Sequence, residues 1–224
     1  MKEYKECYIA FLDLLGFKNM ISHKTCAEIL EIFEIIKVDI NKVNTDKNEV
    51  LYHSDKLKIK VISDSICFYI EKDVENSFLG LVAQCAVFQS KLLKLDEPVL
   101  IRGAITEGEL YAKDDITFGP GLTDAYLLEE KNSKFPRIIL LGETVIKAKE
   151  KCLPKAREGI DKLLYYDFDA YYSIDYCRMF CSLDTDKNQG IILKEYIYNV
   201  LNKEKDSSVR EKYLYLEKRL TDFY

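Results

Sequence analysis

The segment YIAFLDLLGF, at residues 8–17, constrains the fold of this chain more than any other stretch. Its apolar residues surround a single acid, Asp13, and Gly16 follows three residues later. A short apolar run that ends near a glycine is typical of a buried strand followed by a turn. We therefore predict a central strand over residues 6–12 that carries a carboxylate to a pocket.

A second acid, Asp64, begins the second of two runs in which apolar residues alternate with other residues, at 56–62 and 64–70. This period of two predicts a β-hairpin with Asp64 at or beside its tip. An unpaired carboxylate in an apolar segment is costly, so Asp13 and Asp64 together predict a shared metal site. The alternative is that each is an ordinary strand-end or turn aspartate.

The remaining pattern up to residue 151 predicts long helices between pairs of strands. Thr25 and Glu28 have the spacing of a capping box before an apolar helical stripe that includes Ile40 and Val43. Further helices are expected at 76–95, 122–130 and 143–151, and further strands at 99–105, 108–112 and 137–141. This order favours an α+β sandwich of the split β-α-β kind, with helices on a mostly antiparallel sheet.

The chain changes character near residue 159, where a tyrosine-rich stretch is followed by two predicted helices at 190–203 and 209–222. Ser208 and Glu211 have the spacing of a second capping box. We predict a catalytic domain over residues 1–158 and a C-terminal extension over residues 159–224. The extension would be a helical hairpin packed on the core.

Composition restricts the classes of function. The 224 residues can form one sizeable core, and a net charge of -5 argues against a general nucleic-acid binder. The seven cysteines form no C-x-x-C pair, which favours a reduced, cytoplasmic compartment. No apolar run is long enough to span a bilayer, so no membrane span is expected.

Several motifs resemble those of the class III nucleotidyl cyclases. FLDLLGF at residues 11–17 is similar to the family's first metal motif, F-x-D-x-x-G-F, and KIKVISD at 58–64 to its second. RGAITEG at 102–108 resembles R-x-G-I-x-x-G, and FGPGLTDAY at 118–126 lies where the interface helix begins. Together with KFPRI at 134–138 and the tail, these motifs most resemble the pyrimidine cyclases of the Pycsar antiphage system.

The resemblance implies a fold, a reaction and a set of site residues. The fold would be the ferredoxin-like cyclase sandwich plus the C-terminal helical hairpin. The enzyme, a phosphorus-oxygen lyase, would convert UTP, or CTP as the next choice, to the 3′,5′-cyclic monophosphate in antiphage defence. Asp13, Asp64 and the Leu14 carbonyl would hold two Mg or Mn ions. The nucleotide would contact Leu15, Gly16, Phe17, Lys60, Arg102, Thr123 and Arg137.

The same resemblance implies a head-to-tail homodimer with its sites at the interface. Purine cyclases carry an asparagine and an arginine on the interface helix, and those positions are Thr123 and Leu127 here. This departure favours a pyrimidine substrate, and it is also what an inactive nucleotide-binding module of the same fold would show. Arg102 and Arg137 have the alternative role of structural ion pairs. A palm-type polymerase is a third possibility, but it would normally have two adjacent acids at the hairpin tip.

Overall fold

A computed structural model describes residues 3–39, 52–184 and 188–223 of the chain. The strands in these ranges are β1 (Lys5–Leu14), β2 (Lys58–Ile62), β3 (Ser65–Glu71), β4 (Ile101–Lys113), β5 (Ile116–Phe118), β6 (Ile138–Leu140), β7 (Leu164–Tyr166) and β8 (Tyr172–Ile174). The helices are α1 (Phe17–His23), α2 (Cys26–Asp39), α3 (Ser77–Leu92), α4 (Pro120–Asn132), α5 (Gly142–Lys151), α6 (Pro154–Leu163), α7 (Tyr176–Ser182), α8 (Asn188–Lys203) and α9 (Ser207–Thr221).

The strands form one sheet in the order β2-β3-β1-β4-β6-β8-β7, and β5 pairs with β4 beside this path. Among the pairings in the described residues, only β4 with β6 is parallel. The predicted α+β class with a mostly antiparallel sheet is therefore confirmed. The predicted C-terminal helical hairpin is also confirmed, by α8 and α9.

Strand β1 lies in the interior of the sheet between β3 and β4, and both of its faces are covered. Tyr8 and Leu12 face the larger core, to which α3 contributes much of its length, while Cys7 and Ile9 face a smaller core beneath α4. A strand buried on both faces has no outward polar alternation, which explains the nearly continuous apolar run at its centre.

The prediction of two strands within residues 99–112 was wrong. We expected one strand at 99–105 and a return strand at 108–112, but a single strand runs over Ile101–Lys113 and the return strand is β5. The two glycines that suggested a break between strands instead allow neighbouring segments to approach the backbone of β4 closely. A Cβ at Gly103 would lie 2.6 Å from the Phe11 carbonyl oxygen, and one at Gly108 would lie 2.8 Å from the Gly121 Cα. Helix α4 can therefore pack directly on the sheet.

The region after residue 158 contains more regular structure than the sequence indicated. Strands β7 and β8 extend the main sheet, and α7 packs against α3. These elements have only three to seven residues each, too few to show a period. The cap of α9 is Asp206, which accepts from the Val209 amide, rather than Ser208. The division at 158/159 stays a prediction.

The first predicted capping box is present, because the Thr25 amide donates to Glu28 at 2.7 Å. Two apolar positions assigned to the helix that follows it, Ile40 and Val43, lie outside the described residues. Within the described ranges, every helix is too short or too polar to cross a membrane.

Candidate functional site

The hairpin turn between β2 and β3 brings Asp64 to the end of β1. Asp13 is directly opposite Ser65, the first residue of β3, and the Leu14 amide donates to the Asp64 carbonyl at 3.1 Å. Ser63 adopts a left-handed conformation (φ 57°) at the corner of this turn. The two acids singled out from the sequence are therefore neighbours where β1 ends beside the β2–β3 turn.

Arg102 and Glu129 complete a charged cluster around Asp13. Arg102 is opposite Asp13 on β4, and its Nε donates to Asp13 Oδ2 at 3.1 Å. The same Nε lies 2.8 Å from Glu129 Oε1, which comes from α4. The side chains of Arg102 and Asp13 are 30% and 21% exposed, whereas that of Glu129 is only 3% exposed. Solvent therefore reaches Asp13 and Arg102 but not Glu129.

The electrostatics of this cluster favour an added cation. Burial raises the pKa of the Asp13 carboxyl above its ordinary value, Asp64 raises it further, and Arg102 opposes both. Burial also raises the pKa of Glu129 to about 7, with Arg102 opposing and Asp13 adding to the increase. Asp13 and Glu129 thus share one arginine, and Asp64 adds negative charge beside Asp13. A divalent cation between Asp13 and Asp64 would reduce this excess of negative charge.

The donor set at this strand end fits a hard divalent ion. Asp13 and Asp64 supply carboxylate oxygens, and the Leu14 backbone is held against the Asp64 turn by its amide. In the part of the chain that the structure describes, no group of three or more acid, histidine or cysteine side chains is placed to hold a metal. Mg commonly takes one or two protein carboxylates and fills its other positions with water and substrate phosphates.

The residues after Asp13 form an open turn into α1. The Leu15 amide donates to the Leu100 carbonyl at 2.8 Å, so it does not point to a phosphate in this structure. Gly16 is exposed, has φ 78° and has no atom within 4 Å of the position that a Cβ would take. The Phe17 side chain is buried. Of these three predicted nucleotide contacts, Gly16 is exposed, Leu15 is partly exposed and Phe17 is buried.

Lys60 and Thr123 lie near the cluster but on different elements. Lys60 is opposite Cys67 on β2, on the same sheet face as Asp13, and its amine donates to the Asp114 carbonyl in the β4–β5 turn. Thr123 is exposed on α4, and its hydroxyl donates to the Gly119 carbonyl at 3.3 Å. Within one copy of the chain, neither side chain forms a hydrogen bond or ion pair with Asp13 in the described residues.

Arg137 occupies a different environment from Arg102. Its side chain is 0% exposed and pairs with Asp167 and Asp169. The rings of Phe135, Phe168 and Tyr215 surround the guanidinium at 5.5–5.7 Å. These contacts favour the structural ion pair that was the alternative reading of this residue.

Glu129 was not singled out from the sequence, although a signal for it exists. The buried residues of α4 are Gly121, Ala125 and Glu129, at intervals of four. A glutamate in line with two small residues faces the sheet rather than solvent, and a buried acid on such a face indicates a partner. That partner, Arg102, could not be assigned without the packing of α4 on β4.

Among solved structures similar to this chain is the catalytic core of a rhodopsin-guanylyl cyclase with converted specificity, in complex with ATPalphaS. It is 14% identical, and the match covers 97% of that structure and 77% of this chain with a TM-score of 0.52. The chain has the fold of a nucleotide cyclase catalytic core.

Two further structures with this cyclase fold have lower TM-scores. The guanylyl cyclase domain of the RhoGC fusion protein from the fungus Blastocladiella emersonii is 15% identical, with 96% of it and 77% of this chain covered and a TM-score of 0.49. The adenylyl cyclase CyaB from P. aeruginosa is 12% identical, with 94% of it and 77% of this chain covered and a TM-score of 0.48. No protein-family model and no curated protein matches the chain.

Proposed function

We propose that this protein is a nucleotide cyclase that converts a pyrimidine nucleoside triphosphate, UTP before CTP, to the 3′,5′-cyclic monophosphate and pyrophosphate. The observation that carries the proposal is the arrangement of Asp13 beside Asp64 at an accessible strand end, with Arg102 in contact with Asp13. The choice of pyrimidine and a role in antiphage defence rest on the motif resemblance.

The reaction requires little covalent work from the protein. The ribose 3′-oxygen forms a bond to the α-phosphorus, the bond from that phosphorus to the β-phosphate bridging oxygen breaks, and the 3′-hydroxyl proton passes to water. Divalent ions bound to Asp13 and Asp64, with the Leu14 carbonyl, would lower the pKa of the hydroxyl and offset phosphate charge. The chain itself positions the triphosphate and excludes competing geometries.

Arg102 is the candidate cation for the phosphates. It is partly exposed, and its guanidinium already contacts one candidate metal ligand. Glu129 lies 2.8 Å from the same nitrogen, so it would hold the guanidinium in place when Asp13 turns towards a metal. Gly16 would allow phosphate oxygens to approach the backbone, because no side chain occupies that space.

Lys60 is the candidate for base recognition, because an amine can donate to the carbonyl oxygens of a pyrimidine. Its present acceptor is a backbone carbonyl, so base binding would require the Asp114 turn to give up this contact. Thr123 would reach the ribose of a site on a second copy, as in a head-to-tail homodimer. Exposed apolar residues on α4, on β5 and at the end of β2 support such an interface, namely Tyr126, Ile116, Phe118 and Ile62.

The decisive experiment is incubation of the purified chain with UTP, CTP, ATP and GTP in separate reactions with Mn or Mg. Cyclic product and pyrophosphate are then measured together. We expect both products from UTP, and next from CTP, in equal amounts. Sedimentation of the same sample tests the dimer. Absence of cyclic product from all four triphosphates would refute the proposal.

A second candidate is a non-catalytic nucleotide-binding module. The observation that favours it is that Asp13 already forms an ion pair with Arg102, while Thr123 and Leu127 replace the polar pair expected on the interface helix. Tight binding of a triphosphate without cyclic product would support this module. Two observations favour the cyclase instead, because Asp13 is partly exposed and Asp64 lies beside it.

A further inference from the structure

A cavity of about 520 Å³ opens between the turn after β1 and the C-terminal helices. On one side it is lined by Leu15 and Gly16, which directly follow the candidate metal ligands in sequence. On the other side it is lined by α8 and α9, including Lys212 and Tyr213. Its volume is within the usual range of small-molecule sites. The C-terminal helices thus form a wall beside the candidate active site.

Lys212 brings positive charge to this wall. Lys212 is half-buried, and it lines the same cavity as Leu15 and Gly16. The cation therefore shares a cavity with the turn that directly follows the candidate metal ligands Asp13 and Leu14. It comes from α9, nearly two hundred residues later in the chain than Asp13.

The other charged groups that line the cavity have partners. Lys24 pairs with Glu97, and Glu204 accepts from the backbone amides of Lys205 and Asp206 at 2.7 and 2.8 Å. Lys212, in contrast, takes part in no hydrogen bond or ion pair with the residues that the structure describes. The lining has two lysines and two glutamates, so its formal charge is balanced, and Lys212 is the lysine whose amine has no carboxylate partner among the described residues. An unpaired, half-buried amine favours an anion beside it.

We propose that Lys212 is a phosphate-binding residue, and that this cavity receives the terminal phosphates of the substrate and the pyrophosphate product. The identity of the phosphate chain rests on the proposed cyclase function. Lysine serves phosphate as a compact point charge with three donors, so it can follow a phosphate group as it leaves. The C-terminal hairpin then supplies part of the binding site.

The test uses inorganic tripolyphosphate as the probe, with Mg present, and measures binding by calorimetry. The variants are Lys212→Met, Lys212→Arg and, as the matched control on the exposed side of the same helix, Lys218→Met. We expect Lys212→Met to weaken binding by about tenfold or more, since a charged hydrogen bond is lost. Lys212→Arg should retain most of the affinity, and Lys218→Met should bind like the wild type.

A second measurement needs no variant. The wild-type protein is acetylated with limiting acetic anhydride, with and without tripolyphosphate, and modified lysines are quantified by mass spectrometry. We expect tripolyphosphate to protect Lys212 and not Lys218. Equal modification of Lys212 in both samples, or absence of tripolyphosphate binding to the wild type, would overturn the assignment.

These results separate the two proposals. Protection of Lys212 and loss of binding in Lys212→Met, without cyclic product from any triphosphate, would support the phosphate site and refute the cyclase. Cyclic product with an unchanged KM for the triphosphate and unchanged inhibition by pyrophosphate in Lys212→Met would support the cyclase and refute the role of Lys212.

Discussion

Arg102 and Arg137 were both candidates for phosphate binding, and the structure places them in opposite environments. Arg102 is 30% exposed and shares one nitrogen between Asp13 and Glu129. Arg137 is 0% exposed and pairs with Asp167 and Asp169. Arg102 lies in β4, Arg137 directly precedes β6, and both contact acids, so only their surroundings distinguish them.

This difference shows what a binding arginine needs besides charge. In the Arg137 cluster, two carboxylates pair with the guanidinium and three aromatic rings surround it, although Arg137 Nε has no hydrogen-bond partner in the described residues. In the Arg102 cluster, solvent reaches Arg102 and Asp13 but not Glu129, and the pKa of Asp13 is raised chiefly by burial. Acids outnumber the arginine in both clusters, so accessibility is the difference that leaves room for a ligand at Arg102 and not at Arg137.

The largest effect is expected for Asp13→Ala. Loss of this carboxylate should lower turnover by at least about a thousandfold, because a principal metal ligand is removed. The melting temperature at neutral pH should not fall, because the raised pKa shows that the ionised carboxylate is unfavourable in the folded state. Cyclic-product assays and circular dichroism measure the two quantities.

Asp73→Ala, which changes an exposed acid away from the cluster, is the control for this variant. It should retain wild-type turnover. An unfolded Asp13→Ala protein would mean that the Asp13–Arg102 pair is structural, and the contrast with Arg137 would then be lost.

Arg137→Met should act on stability. The substitution leaves Asp167 and Asp169 without their cation, and breaking a buried pair typically costs about 3–5 kcal/mol. We expect urea unfolding to show a loss of this size, with the KM of the remaining folded enzyme unchanged. Arg178→Met removes a largely exposed arginine and should cost less than about 1 kcal/mol. A raised KM with unchanged stability would instead make Arg137 a substrate contact.

Glu129→Gln should change how stability depends on pH. The wild-type pKa is about 7 in the folded protein, chiefly because of burial, against an ordinary value of 4.5. The folded state therefore binds more protons than the unfolded state between these values, and wild-type stability falls as the pH rises from 4.5 to 7. Glutamine does not titrate, so the variant should gain up to about 3 kcal/mol relative to wild type over this range.

Urea midpoints at pH 5 and pH 8 measure this effect. Glu130→Gln, the exposed neighbour on α4, is the control and should show no such change. A difference between Glu129→Gln and wild type that is the same at both pH values would show that Glu129 is already ionised and paired with Arg102.

Much of the fold could be predicted from periodicity and turn residues, because β1, the β2–β3 hairpin and the long helices each have enough residues to show a pattern. The three-residue strands β7 and β8 could not be predicted in this way, since they depend on pairing with β6 and with each other. Likewise, the sequence could not distinguish a single strand β4 from two strands. A glycine such as Gly103 or Gly108 can either end a strand or allow another segment to approach it closely, and the residue type is the same in both cases.

The residues of the candidate site likewise divide into those that local sequence identifies and those that depend on tertiary packing. The proximity of Asp13 and Asp64 could be predicted because each lies at a strand end that local sequence identifies. The contact of Glu129 with Arg102 and the position of Lys212 in the cavity wall could not, because both residues come from helices whose placement depends on tertiary packing. The contrast between Arg102 and Arg137 belongs to the second group, since local sequence shows an arginine in a strand but not which acids surround it.

The smallest predicted effect, for Arg102→Lys, tests the contrast most directly. Both side chains carry one positive charge, but lysine lacks the planar guanidinium that contacts Asp13 and Glu129 together. We expect kcat/KM to fall by about tenfold while the melting temperature stays within a few degrees of wild type. Arg157→Lys, at an exposed position that donates only to backbone carbonyls, should change neither value. If Arg102→Lys instead lowers stability and leaves kcat/KM unchanged, the guanidinium of Arg102 stabilises the fold and takes no part in catalysis. Arg102 would then be a structural ion pair of the same kind as Arg137.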